Sequence, residues 1–67
     1  MSPEWWNGRM LQQARHRRNL TQAALAKRID VHQVTIARLE SGSRKPSMDM
    51  LHRLAKVLKV KARDLLA

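Results

Sequence analysis

Between residues 32 and 45, amide, hydroxyl and basic side chains recur at intervals that suit recognition of a patterned, anionic surface. At 100° per residue, Gln33, Val34, Ala37 and Arg38 share one side of a helical run whose other side carries Ile36, Leu39 and Glu40. In a major groove, glutamine can hold adenine N6 and N7 together and arginine can hold guanine O6 and N7. Valine can meet a thymine methyl, while alanine keeps the helix surface low. Thr21 and Gln22 at one helix start, and Ser41, Ser43, Arg44 and Lys45 in a loop, are donors suited to phosphate oxygens. On this chemistry the phosphate contacts set register and the helix reads base edges.

Other chemistries find no support. His16, His32 and His52 stand far apart with no Cys in the chain and no acid at ligand spacing, so no metal site is expected. Two glycines and five acids cannot assemble a Gly-rich phosphate loop, a paired-acid cleft or a Ser-His-Asp arrangement. The sequence therefore reads as a binding protein without catalytic residues or a cofactor.

The whole-chain arithmetic agrees. Fourteen Lys and Arg against five Asp and Glu give a formal charge of +9 in 67 residues. That ranks nucleic acid first among partners, an acidic membrane surface second and an acidic protein third. The length allows one small domain, and without disulfides its stability must come from apolar packing. Leu and Ala dominate the apolar residues, and Phe and Tyr are absent, which predicts an all-α fold. No apolar run approaches the roughly twenty residues a membrane span requires. Met1 to Glu4 lacks the basic-then-apolar order of a secretory signal, so a cytoplasmic location is expected.

Local signals place the elements. Ser2-Pro3-Glu4 reads as a helix start, making residues 1–8 an N-terminal extension of a first helix whose firm part runs from Arg9 to Arg18, with Gly8 as a weak point. Asn19 suits a left-handed helix end. Thr21 caps a short helix, Gln22 to Arg28, with Leu25, Ala26 and Ile29 inside; after a turn at Asp30 the next helix spans Gln33 to Glu40. Pro46 ends the following loop and Ser47 caps Met48 to Leu58, whose Leu51, Leu54, Ala55 and Leu58 form one stripe. A last helical turn, Ala62 to Leu66, closes the core through Leu65. Two short helices over about residues 21–40, joined by a tight turn, describe a helix-turn-helix. Trp5 and Trp6 are the only aromatics; read as helical neighbours, one packs over the end of the core and the other is available to a partner surface.

With these residues in view the chain resembles the Cro/C1-type (XRE) helix-turn-helix family. The resemblance is carried by Thr21-Gln22-Ala23-Ala24-Leu25-Ala26, Val31, Thr35-Ile36-Ala37-Arg38-Leu39-Glu40, Gly42 and Pro46. It extends through Leu51 to Val60 and Asp64-Leu65-Leu66. It implies a compact five-helix, lambda-repressor-like domain filling residues 1–67 and binding double-stranded operator DNA as a two-fold homodimer. It also implies a phosphate contact from Gln22 and base contacts from Gln33, Val34 and Arg38, with His32 a neighbour on the same surface. The family pairs an Arg of its first helix with a Glu ending its third, and Arg15 and Glu40 match those positions. The helical faces agree, since Arg15 lies with Leu11 and Ala14 and Glu40 with Ile36 and Leu39. Asp30 and Lys59 stand where the family uses glycine, and Lys61 where it uses a hydroxyl cap; the Lys59 change is expected to alter the junction after the fourth helix. The implied function is transcriptional regulation, with repression foremost and contact with RNA polymerase the route to activation. An antitoxin that binds a toxin and autoregulates, or a restriction-modification controller, is the alternative.

Overall fold

A computed structural model describes residues 4–67. Four α-helices follow one another: α1 (Gly8–Arg17), α2 (Gln22–Arg28), α3 (Gln33–Ser41) and α4 (Met48–Leu58). A single 3₁₀ turn, Ala62–Leu65, comes after them. This corrects the expected fifth α-helix. Only four residues separate Lys61 from an already extended Leu66, too few for a settled α-helix. The turn is held instead by Asp64, whose Oδ2 accepts from the Lys61 backbone N–H at 3.1 Å.

The first helix also departs from expectation. The Ser2-Pro3 start lies outside the described residues, and Glu4 to Asn7 are not helical. Asn7 is the N-cap instead, its Oδ1 accepting from Met10 N at 3.2 Å. The segment before it is drawn across to the chain's other end. Trp6 and Leu66 form an isolated antiparallel bridge, Asn7 N donates to Leu65 O at 3.3 Å, and Ala67 N donates to Trp5 O at 3.1 Å. Trp6 turns into the core at 1% exposure, while Trp5, in the turn before it, stays 41% exposed.

Helix ends follow one local rule. Asn19, Asp30 and Lys59 adopt φ of 55°, 60° and 56°, each just past the end of a helix. In each case the next residue donates back across the turn: Leu20 N to Arg15 O, Val31 N to Ala26 O and Val60 N to Ala55 O, at 3.2, 2.9 and 3.0 Å. Those next residues are apolar and pack on the core, completing a Schellman-type end. Lys59 therefore takes, with a Cβ, the left-handed conformation that glycine adopts most readily. Thr21 and Ser47 cap α2 and α4 through their hydroxyls, onto Ala24 N and Met50 N.

The core sits between the helices. Leu11 and Ala14 of α1, Leu25 and Ala26 of α2, Ile36 and Leu39 of α3, and Leu51, Leu54 and Leu58 of α4 meet around Trp6 and Leu65. Among the described residues, no helix is long and apolar enough to cross a membrane.

Candidate nucleic-acid interface

The inward faces of α3 are consumed by packing: Thr35, Ile36 and Leu39 are buried. That leaves Gln33, Val34 and Arg38 exposed on the opposite side, with Ala37 half-buried between them. Val34 is 56% exposed and so offers an apolar contact on this face. His32 is the N-cap residue of α3, but its imidazole makes no capping hydrogen bond and lies on the surface beside Gln33.

Behind this face is a polar knot. Arg15 donates from Nε to Glu40 Oε2 at 2.6 Å and from Nη2 to Glu40 Oε1 at 3.1 Å, with side chains only 8% and 5% exposed. Arg15 Nη1 also donates to Leu20 O at 2.8 Å. Gln22 adds a third donor to the carboxylate, Nε2 to Oε1 at 3.1 Å. These bonds fasten α1, the start of α2 and the end of α3 to one another. They also surround the Glu40 charge with donors, so an acid at the rim of the face presents little free negative charge.

The Gln22–Glu40 bond brings the N-terminus of α2 beside the loop that follows Glu40. Thr21 and Ser41, Ser43, Arg44 and Lys45 are exposed, and Gln22 half-buried, around that bond's two ends. Within that loop Arg44 and Lys45 are exposed. The serines do local work as well: their hydroxyls lie 3.0 Å apart, Ser41 Oγ donates to Arg38 O at 3.1 Å and Ser43 Oγ to the same carbonyl at 3.4 Å. Arg44 N also donates to Arg38 O, and Gly42 at φ 82° lets the chain turn away. The serines shape the loop while the two cations project from it.

Three features of this region are absent from the sequence reading. The Gln22–Glu40 bond is one. The others are the indole of Trp6, whose Nε1 donates to Leu39 O at 2.8 Å, and Gly8, pressed against the same end of α3. Gly8 carried a readable signal, since a glycine inside a helical pattern marks a close approach; the other two join residues too distant in the chain for any periodicity to record.

Residues 11–65 match the helix-turn-helix family. The chain belongs to the Cro/C1-type helix-turn-helix family. A curated relative, an uncharacterised HTH-type transcriptional regulator of Archaeoglobus fulgidus, is 40% identical over 47 residues, covering 70% of this chain and 66% of its own length. The P22 c2 repressor, solved with a synthetic operator, superposes with a TM-score of 0.84 at 30% identity over 88% of this chain and 89% of its own. The restriction-modification controller C.AhdI of Aeromonas hydrophila gives 0.81 at 28% identity, over 87% and 88%. The module also occurs inside a larger protein: hydroxypropylphosphonic acid epoxidase of S. wedmorenis gives 0.82 at 26% identity over 90% of this chain but only 32% of its own. The Cro/C1-type family is one of DNA-binding transcription regulators.

Proposed function

We propose that this protein is a sequence-specific transcriptional regulator, acting as a repressor, that lays α3 in the major groove of operator DNA. The observation that carries the reading is the composition of the one outward face of α3. Gln33, Val34, Ala37 and Arg38 stand clear of the core with a hydrogen-bond code and an apolar contact for base edges. His32 extends that face at its N-terminal end. Thr21, Gln22, Ser41, Ser43, Arg44 and Lys45 flank it as the phosphate-contacting set, the Gln22 amide keeping one N–H free after its bond to Glu40.

The protein binds as a two-fold homodimer on DNA, placing two copies of α3 about 34–36 Å apart on successive turns of one duplex face. Occupation of a promoter by such a dimer excludes polymerase. The likeness to C.AhdI favours a second, narrower reading, control of a restriction-modification operon, which uses the same face.

Selection of bound duplexes from a random DNA pool tests the reading. A consensus with two symmetric half-sites one helical turn apart supports it. A pool that fails to enrich any sequence overturns it, and an asymmetric consensus removes the dimer.

A further inference from the structure

Residues 4–10 precede the matched part of the chain, yet they grip the end of α3. The buried Trp6 ring places Nε1 2.8 Å from Leu39 O, a bond across 33 residues. Leu39 O already accepts from Gly42 N at 3.3 Å, so the carbonyl is not in want of a donor. Two residues further on, the Gly8 backbone lies so near that a Cβ there would fall 2.4 Å from both Leu39 O and Glu40 O. The gripping segment is itself immobilised by its bridge to Leu66 and by the bonds from Asn7 to Leu65 and from Ala67 to Trp5.

What this grip controls is the pose of the last turn of α3. Within that turn, Ser41, Ser43, Arg44 and Gly42 bond to carbonyls of α3 and to one another, which shapes the turn without orienting it against the rest of the molecule. Orientation comes from three polar ties to the body, the Arg15–Glu40 pair, the Gln22–Glu40 bond and the Trp6–Leu39 bond, of which only the last is made to the backbone of the turn. Leu39 follows Arg38 directly. A bidentate contact to guanine tolerates displacements of only about 0.5 Å and 10–20° before the geometry is lost.

We propose that Trp6 is a positioning residue for DNA reading: its indole N–H fixes the end of α3 and so aims the Arg38 guanidinium at its base. This rests on α3 being the base-reading helix. Volume alone would be met by any large ring, whereas aiming requires the N–H.

The test removes that N–H and nothing else. The 67-residue chain is short enough for chemical synthesis with Trp6→benzothienylalanine, in which sulfur replaces the N–H in a ring of the same shape; the expressed Trp6→Phe, which loses ring volume as well as the N–H, is run beside it to show what lost packing adds. Each is titrated against a duplex carrying the consensus selected by the unmodified protein and against a scrambled duplex, at a temperature where circular dichroism shows it folded. The ratio of the two affinities is expected to fall about fivefold, the scale of one lost hydrogen bond, with scrambled-DNA affinity and salt slope unchanged. In an Arg38→Ala background the same replacement is expected to leave the ratio where it was. A lowered melting temperature with an unchanged ratio, an equal fall in the Arg38→Ala background, or failure of the isosteric analogue to fold would each overturn the proposal and leave Trp6 with a role in stability alone. If the unmodified protein selects no consensus, it is the base-reading role of α3 that fails, and the aiming role with it.

Discussion

The Glu40 carboxylate accepts from Arg15 through both oxygens and from Gln22 through one, at 5% side-chain exposure. Removing one side of such a pair leaves a buried charge without its counter-charge, at a cost of about 3–5 kcal/mol. Glu40→Gln is accordingly expected to lower the melting temperature by about 15 °C or more, followed by circular dichroism; an unchanged melt would deny the pair its structural role. Arg38 and Lys45 are expected to behave differently, because their side chains are exposed and the core does not depend on them. Arg38→Ala is expected to cost about 1–3 kcal/mol on the cognate duplex and to relax preference at one base pair, whereas Lys45→Ala weakens every duplex alike. Titration of both variants against consensus and scrambled DNA separates the roles, and an equal loss on both duplexes for Arg38→Ala would remove its assignment to a base.

Two element junctions set opposing effects against each other. At the start of α1, alanine has the better helix propensity by about 1 kcal/mol, so Gly8→Ala should stabilise an isolated helix. Here its Cβ would meet two backbone carbonyls at 2.4 Å, which only a shift of α1 against α3 can relieve. Overpacking of that kind costs about 1–3 kcal/mol, so the expected result is a net loss of stability in denaturant titration. A gain would show that the two helices separate freely. At the end of α4 the balance reverses. Lys59 sits at φ 56°, a conformation that costs a residue with a Cβ about 1–2 kcal/mol and glycine almost nothing. Lys59→Gly is expected to raise stability by about 1 kcal/mol, less than the full strain because glycine gives more freedom to the unfolded chain. The same change at Asp30 is expected to bring less, since a short polar side chain tolerates that region.

At the scale of the molecule, the charge of +9 divides into parts with different work. Arg15 is neutralised inside the knot, Arg38 is exposed on the outward face of α3, and Arg44 and Lys45 are exposed in the loop that follows it. Arg53 pairs with Asp49 at 3.1 Å along α4. The remaining bases supply long-range attraction to a polyanion. About five phosphate contacts in the complex would give a slope near −4.5 in a plot of log affinity against log salt concentration. A slope near zero would mean that counterion release contributes nothing and that phosphates are not the partner of Thr21, Gln22 and the 41–45 loop.

The sequence by itself determined the helices whose signals are local. The boundaries of α2 and α4 follow from Thr21, Ser47, Asp30 and Lys59 as caps and ends, and α3 runs just one residue past its expected limit. The outward face of α3 was legible for the same reason, because helical periodicity alone separates it from Ile36 and Leu39. Tertiary structure decided where α1 begins, that the last turn is 3₁₀, which tryptophan is buried, and how the end of α3 is gripped. Each of these depends on backbone or side-chain groups far apart in the chain, Trp6 with Leu66, Trp6 with Leu39, Gly8 with Glu40 and Gln22 with Glu40. Caps and periodicity are written into neighbouring residues; the pairing of distant donors and acceptors exists only once the core has brought them together.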